Sequence, residues 1–233
     1  VVFCEMTEAQ EKLYEETKAY YRNQIIDNIE NQGMSKSQIL IIQGLTKLRQ
    51  IANHPGMCTE DYSGGSAKFE TVLEMHDNAL GKEHKILIFS QFVKHLSYYK
   101  GEFQQQAMPF TYIDGTTKDR QQQVEAFQKT EDIRTFLISL KAGGTGLNLT
   151  AADYVFILDP WWNPAVEQQA IDRAYRIGQK NNVFVYKFIT KNTVEEKILQ
   201  LQQKKMDLAE NLISTDDGFV KSLTKEDINS IFS

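Results

Sequence analysis

Hydrophobic positions follow two rhythms along this chain. From residue 7 to 52 they recur at helical spacing. Leu13, Tyr20, Tyr21, Ile25 and Ile29 mark one stripe, and Leu45, Leu48 and Ile51 mark another. Thr7-Glu8-Ala9-Gln10 has the form of a capping box, which satisfies the first free amides of a helix. Gly33 interrupts the run, and Asn53-His54-Pro55-Gly56 ends it, because the residue before a proline is pushed out of the helical region. The pattern predicts a helical hairpin with its second helix at about 37 to 52.

Beyond a polar linker at 60 to 66, short apolar runs alternate with helical segments. The predicted strands are 85–90 (KILIFS), 110–114 (FTYID), 134–140 (RTFLISL), 154–159 (YVFILD) and 183–189 (VFVYKFI). Several are apolar on both faces, as strands buried under two helical layers must be. Helices at about 68–80, 92–107, 117–129 and 164–177 supply those layers. The expected class is α/β, a doubly wound parallel sheet sandwiched by helices, whose ligands sit at the carboxyl ends of the strands. Thr193-Val194-Glu195-Glu196 opens a further helix to about 213, and Thr224-Lys225-Glu226-Asp227 a short terminal one. No internal repeat is visible.

Composition narrows the functional classes. The chain has 233 residues, 41% of them hydrophobic, which is ample for a core. A net charge of −5 argues against binding nucleic acid by bulk charge, so any such contact must be local. Cys4 and Cys58 are isolated and no histidine cluster accompanies them, which supports neither a disulfide framework nor a zinc site. The apolar start is too short for a signal peptide, and no window nears the ~18 apolar residues of a membrane span. A protein in a reducing, intracellular compartment, without membrane contact, is the expectation.

The chemistry concentrates in 159–179. Gln169, Arg173 and Arg176 stand four and three apart, on one predicted helical face, so two arginines can converge on one anion. Guanidinium is planar, permanently charged and forked to match phosphate oxygens. The whole stretch, Asp159-Pro-Trp-Trp-Asn-Pro through Gln179, resembles the last helicase motif of the Swi/Snf branch of superfamily-two helicases. Further blocks resemble that family in order: Lys85 to Phe92, Tyr112 to Thr117 with Arg120, and Ser139 to Leu149. Leu48-Arg49-Gln50-Ile51-Ala52-Asn53-His54-Pro55 is similar to a block ahead of its second motor lobe.

The resemblance implies a RecA-like sheet with a helical hairpin before it and a brace helix after it, divided as 1–60, 61–192 and 193–233. It implies that Arg173 and Arg176 are arginine fingers on the γ-phosphate of ATP, with Gln169, Gly146, Asn148 and Asp172 bordering the nucleotide. It also implies that Ser90, Gln91, Gly115, Thr116, Arg120, Lys141, Gly143 and Gly144 hold the backbone of double-stranded DNA, and that Trp162 and Asn163 face its groove. Small hydroxyl residues and glycines suit that task, since they let backbone amides approach phosphates without reading sequence.

No Gly-x-x-x-x-Gly-Lys-[Ser/Thr] loop and no Asp-Glu-x-His occurs, so nothing in the sequence cradles a triphosphate or its Mg2+. The expectation is therefore half a motor: a C-terminal fragment, inactive alone, whose ATP and Mg2+ are held mainly by a first RecA-like lobe of the same parent. A protein target such as a DNA-bound complex is a further expected partner. Localisation is expected in the nucleoid if bacterial, which the compact form favours, or in the nucleus if eukaryotic. Two readings compete. One is a non-catalytic docking module for DNA or protein. The other is a Rossmann enzyme, which lacks support because no Gly-x-Gly-x-x-Gly follows the first strand.

Overall fold

The computed structural model of the protein describes residues 1–143, 147–175, 182–207, 218 and 221–233. The chain divides into two compact units, one comprising 1–2, 70–161 and 165–188, the other 3–69, 162–164 and 189–233.

The first unit is built on a parallel sheet. Its strands are β2 (Ile86–Ser90), β3 (Phe110–Ile113), β4 (Thr135–Ser139), β5 (Tyr154–Ile157) and β6 (Phe184–Thr190), the last two residues of which belong to the second unit. With β1 (Val2–Cys4) at one edge, the order is β1-β6-β5-β2-β4-β3. Every residue of β2 and β4 is buried, which explains why they read as continuous apolar runs rather than alternating ones. Helices α3 (Ala67–Leu80), α4 (Val93–Gln105), α5 (Arg120–Lys129), α6 (Leu140–Gly143) and α7 (Pro164–Ile171) connect the strands. Leu87, Phe89, Phe136, Ile138, Val155 and Ile157 of the sheet share a core with Val124 and Phe127 of α5. Five predicted strands are present. A sixth, β1 (Val2–Cys4), was hidden by its length, since three residues carry no periodicity. It lies at the β6 edge, where the Lys191 N–H donates to the Cys4 carbonyl at 2.8 Å.

The second unit contains the predicted hairpin, α1 (Glu8–Gln32) and α2 (Met34–Asn53). Gly33 joins them at φ +82°, a left-handed conformation that glycine adopts without strain. Thr7 caps α1 by accepting the Gln10 N–H, but the expected reciprocal half of that box is absent. The Gln10 amide instead donates to the Ile51 and Ala52 carbonyls at 2.9 and 3.2 Å, because a fully buried amide serves free carbonyls near the end of α2. The inner stripe of α1 also differs from expectation. Tyr14 and Ile25 are buried, whereas Tyr20 is 61% exposed. Against α2 the backbones approach closely: a Cβ on Gly44 would meet Tyr21 at 3.0 Å and Phe232 at 3.2 Å. Helix α8 (Val194–Asp207) and α9 (Lys225–Ile231) complete the unit. The part of the predicted brace helix beyond 207 lies outside the described residues. Thr224 and Asp227 form a capping box at the start of α9, the expected terminal helix.

A polar network runs through this second core. Lys68 and Glu195, neither with any exposed side-chain surface, pair at 2.6 Å. The Lys68 ammonium also donates to Asn53 Oδ1 at 2.9 Å, and the Thr190 N–H donates to Glu195 Oε2 at 2.8 Å. Asn53 Nδ2 donates back to the Arg49 carbonyl at 2.9 Å. The block 48–55 therefore ends α2 on buried polar partners, not merely on a turn.

Candidate functional site

Parallel register sets the site. Ser90 pairs with Ser139, Phe89 with Ile157, and Ile113 with Ile138, so the exits of β3, β4, β2 and β5 emerge level at one edge. The loops singled out from sequence leave from that edge.

At the β2 exit, Ser90 is fully buried. Its hydroxyl donates to Asp159 Oδ2 at 2.5 Å, and its Oγ accepts the Phe92 N–H at 3.0 Å. The Gln91 N–H donates to the other oxygen of Asp159 at 3.1 Å. Ser90, expected to hold a DNA phosphate, is thus committed inside the protein; its neighbour Gln91 is the half-exposed residue of the pair. Asp159, the first residue after Leu158, ties the β5 exit to the β2 exit. Asp159 opens the helicase-like stretch 159–179, and no role for it follows from the sequence alone.

At the β3 exit, Asp114 organises the loop. Its Oδ1 accepts from the Thr116 N–H (2.8 Å), the Thr116 hydroxyl (2.7 Å) and the Thr117 N–H (3.1 Å), while its Oδ2 accepts from the Tyr112 hydroxyl at 2.9 Å. Desolvation acts to raise its pKa, but the donors from Thr116, Tyr112 and Thr117 together prevail and hold it down at about 2. This is an Asx turn, and it delays the start of α5 to Arg120, three residues later than expected. Gly115 and Thr116 are exposed at its tip, with open space around Gly115. Arg120, expected on DNA, sends Nε to the Thr117 carbonyl at 3.3 Å and Nη2 to the Asp114 carbonyl at 3.4 Å, stapling the loop from behind.

At the β4 exit the chain turns directly into α6, and the Ser139 Oγ accepts the Ala142 N–H at 3.3 Å. Gly143 ends α6. Gly144 and Gly146 lie outside the described residues, as does the side chain of Lys141. Further along, the Leu149 N–H donates to the Arg173 carbonyl at 3.0 Å. Gln128 of α5 clamps the same segment, donating to the Asn148 carbonyl at 2.7 Å and accepting the Ala151 N–H at 3.0 Å. Nothing in the local sequence signals that clamp, because it joins residues 20 and 23 apart.

Arg173 belongs to the same unit. Helix α7 ends at Ile171, six residues before its expected end, and the next turn tightens: the Arg173 N–H bonds the Ala170 carbonyl and the Ala174 N–H the Ile171 carbonyl, both three residues back. Gln169 and Arg173 consequently differ in setting, Gln169 exposed and Arg173 only 9% exposed. The buried Arg173 Nε finds no acceptor among the described residues. Asp172 is exposed and accepts from Gln168 at 2.9 Å, and Asn148 is exposed. The structure thus ties Leu149, the neighbour of Asn148, to Arg173 through a backbone bond. Arg176 lies outside the described residues. Glu167, buried in α7, anchors the preceding corner by accepting the Trp161 N–H at 2.6 Å and pairing with Lys187.

Trp162 and Asn163, expected to face a groove, are 5% and 6% exposed and belong to the second unit. The Arg49 guanidinium lies over the Trp162 ring at 4.4 Å. The side chain is therefore buried, with the guanidinium over one face of its ring.

The helicase conserved C-terminal domain matches residues 67–178. Over 99% of its length the chain is 38% identical to a Mycoplasma pneumoniae protein named an ATP-dependent helicase, and it spans 22% of that relative's length. It resembles the Sulfolobus solfataricus SWI2/SNF2 ATPase core solved in complex with dsDNA, with a TM-score of 0.81 at 31% identity, covering 99% of this chain and 48% of that one. The C-terminal domain of the same Sulfolobus enzyme aligns with a TM-score of 0.78 at 31% identity, covering 99% of this chain and 95% of that domain.

Proposed function

The chain belongs to the Swi/Snf family, as its C-terminal RecA-like helicase lobe, and on that premise we propose that it is the second half of an ATP-driven double-stranded DNA translocase. Bound ATP supplies the phosphoanhydride whose cleavage drives movement. Arg173 and Arg176 are its fingers toward the γ-phosphate, with Gln169, Gly146, Asn148 and Asp172 bordering the nucleotide. The triphosphate and Mg2+ rest mainly on a first RecA-like lobe of the parent. Arg173 suits this role in one physical respect above others: a buried guanidinium nitrogen without an acceptor is costly unless an anion meets it.

The DNA-holding surface is the level edge of the sheet. Gln91, the Gly115–Thr116 tip and the segment Lys141 to Gly144 offer amides, hydroxyls and one cation to the sugar-phosphate backbone, while Ser90, Asp114 and Arg120 fix the loops from within. Duplex DNA is the substrate class that the double-stranded complex of the Sulfolobus relative supports. In the parent, residues 1–60 form the helical protrusion, 61–192 the motor lobe and 193–233 the brace and tail. Its working place is the bacterial nucleoid or the eukaryotic nucleus, and its load is a DNA-bound protein complex.

The observation that carries this reading is the shared register that brings three strand exits level beside the segment bonded to Arg173. The test is reconstitution. The chain alone and its upstream lobe alone should each hydrolyse ATP at background, whereas together they should hydrolyse it faster with duplex DNA added. Duplex DNA binding with no ATP hydrolysis by the pair would favour a docking module instead.

A further inference from the structure

The block Leu48 to Pro55 resembles one found ahead of the family's second motor lobe, and it lies outside the matched helicase domain. We infer that Arg49, within it, is a positioning residue for the arginine-bearing segment that follows Trp162, an inference that rests on the assignment of Arg173 above. Arg49 is 2% exposed and one of the largest fully buried side chains among the described residues. A buried guanidinium must be compensated, and its Cζ lies over the Trp162 ring, 4.4 Å from the centroid, a cation–π contact that arginine makes more often than lysine. Leu48, Ile51 and Trp162 share the same core, so the indole is held by apolar packing as well as by the cation.

Trp162 stands two residues before Pro164, the first residue of α7. Proline fixes its own φ and restricts Asn163, so little play separates the indole from the helix start. Helix α7 then runs unbroken to Ile171, one tight turn short of Arg173. What Arg49 fixes is therefore the root of the element that presents the finger. Arg49 is held in turn through its carbonyl, which accepts from Asn53, whose Oδ1 receives the Lys68 ammonium paired to Glu195 in the first turn of α8. That relay joins the root of the finger to the base of the brace helix inside one core.

The test has two arms. The chain contains two tryptophans, so Trp161→Phe leaves Trp162 as its sole indole reporter. In that background acrylamide should quench emission weakly, and Arg49→Met should raise quenching and alter the emission spectrum with the far-ultraviolet dichroism unchanged. If Arg49→Met fails to fold, Arg49→Lys, which keeps charge and stem but loses the plane, gives the same readout. In the full-length parent, Arg49→Lys should lower kcat for DNA-stimulated ATP hydrolysis about tenfold or more while leaving the KM for ATP and the melting temperature near wild type, as displaced reactive groups do. In an Arg173→Ala background, Arg49→Lys should cause no further loss. Equal quenching with and without the guanidinium, or losses that multiply in the double variant, would overturn the positioning role. A fully active Arg173→Ala parent would instead sink the finger assignment and leave the fluorescence result standing.

Discussion

Replacing Lys68 by Met should destabilise the chain more than any single surface change. The substitution keeps most of the stem volume and removes the ammonium. Glu195 then stays fully buried, without the two contacts of 2.6 and 2.7 Å that neutralise it, and the Thr190 N–H remains a donor to it. Asn53 Oδ1 loses its 2.9 Å donor as well. Removing one partner of a buried ion pair costs ~3–5 kcal/mol, because the survivor's desolvation is no longer offset. For a domain whose total stability is of order 5–15 kcal/mol, that is a large fraction. At roughly 2–4 °C per kcal/mol for a chain of this size, the melting temperature should fall by about 10 °C. The assay is urea unfolding followed by tryptophan fluorescence, with Glu195→Gln added in the Lys68→Met background. The second change removes the stranded charge, so the double variant should recover part of the loss. A Lys68→Met loss under about 1 kcal/mol, or a double variant worse than the sum of its singles, would show that the pair is not a neutralised buried unit.

Three further outcomes follow from the site. Asp114 has a folded pKa of about 2 against an ordinary 3.8, so the stability it contributes is complete above about pH 4 and is lost as pH falls toward 2; urea midpoints across that window should be flatter for Asp114→Asn, and identical acid profiles would refute the turn's role. Ser90→Ala should cost ~1–2 kcal/mol by depriving buried Asp159 of a donor, while Gln91→Ala should leave stability intact and weaken duplex binding in a filter or anisotropy assay; the reverse pattern would return Ser90 to the DNA surface. Trp162→Ala should unfold the chain at lower urea by ~3–5 kcal/mol, as loss of a buried aromatic does, and a stable variant defective only in DNA handling would contradict the packed geometry.

Much of the fold is legible because parallel strands buried on both faces must be apolar throughout. KILIFS and RTFLISL announce β2 and β4 for that reason, and the hairpin of α1 and α2 follows from helical spacing broken at Gly33. β1 escapes because three residues show no period. Tyr20 misleads because spacing marks a face, not which neighbour covers it, and Tyr14 takes the buried place. The loops are legible in kind but not in orientation. Asp114-Gly-Thr-Thr has the composition of an Asx turn, so its shape was accessible from sequence. That Ser90 turns inward depends on Asp159, 69 positions away, and that Trp162 is covered depends on Arg49, more than a hundred away. Such pairings come from tertiary packing. The end of α7 at Ile171 was also out of reach, since no proline or glycine marks it and the backbone bond from Leu149 to the Arg173 carbonyl belongs to the fold.

Under the proposed function, Arg173 completes an ATP site formed with another lobe. The direct measurement is steady-state ATP hydrolysis by the full-length parent with saturating duplex DNA, comparing wild type with Arg173→Ala and Arg173→Lys, alongside DNA affinity. A finger stabilises charge that develops in the transition state, so turnover should fall by ~10³ to 10⁵ with the alanine, and lysine should rescue poorly because it lacks the fork. DNA affinity should change little. Turnover retained above about a tenth of wild type in both variants, or lost only together with DNA binding, would contradict the account.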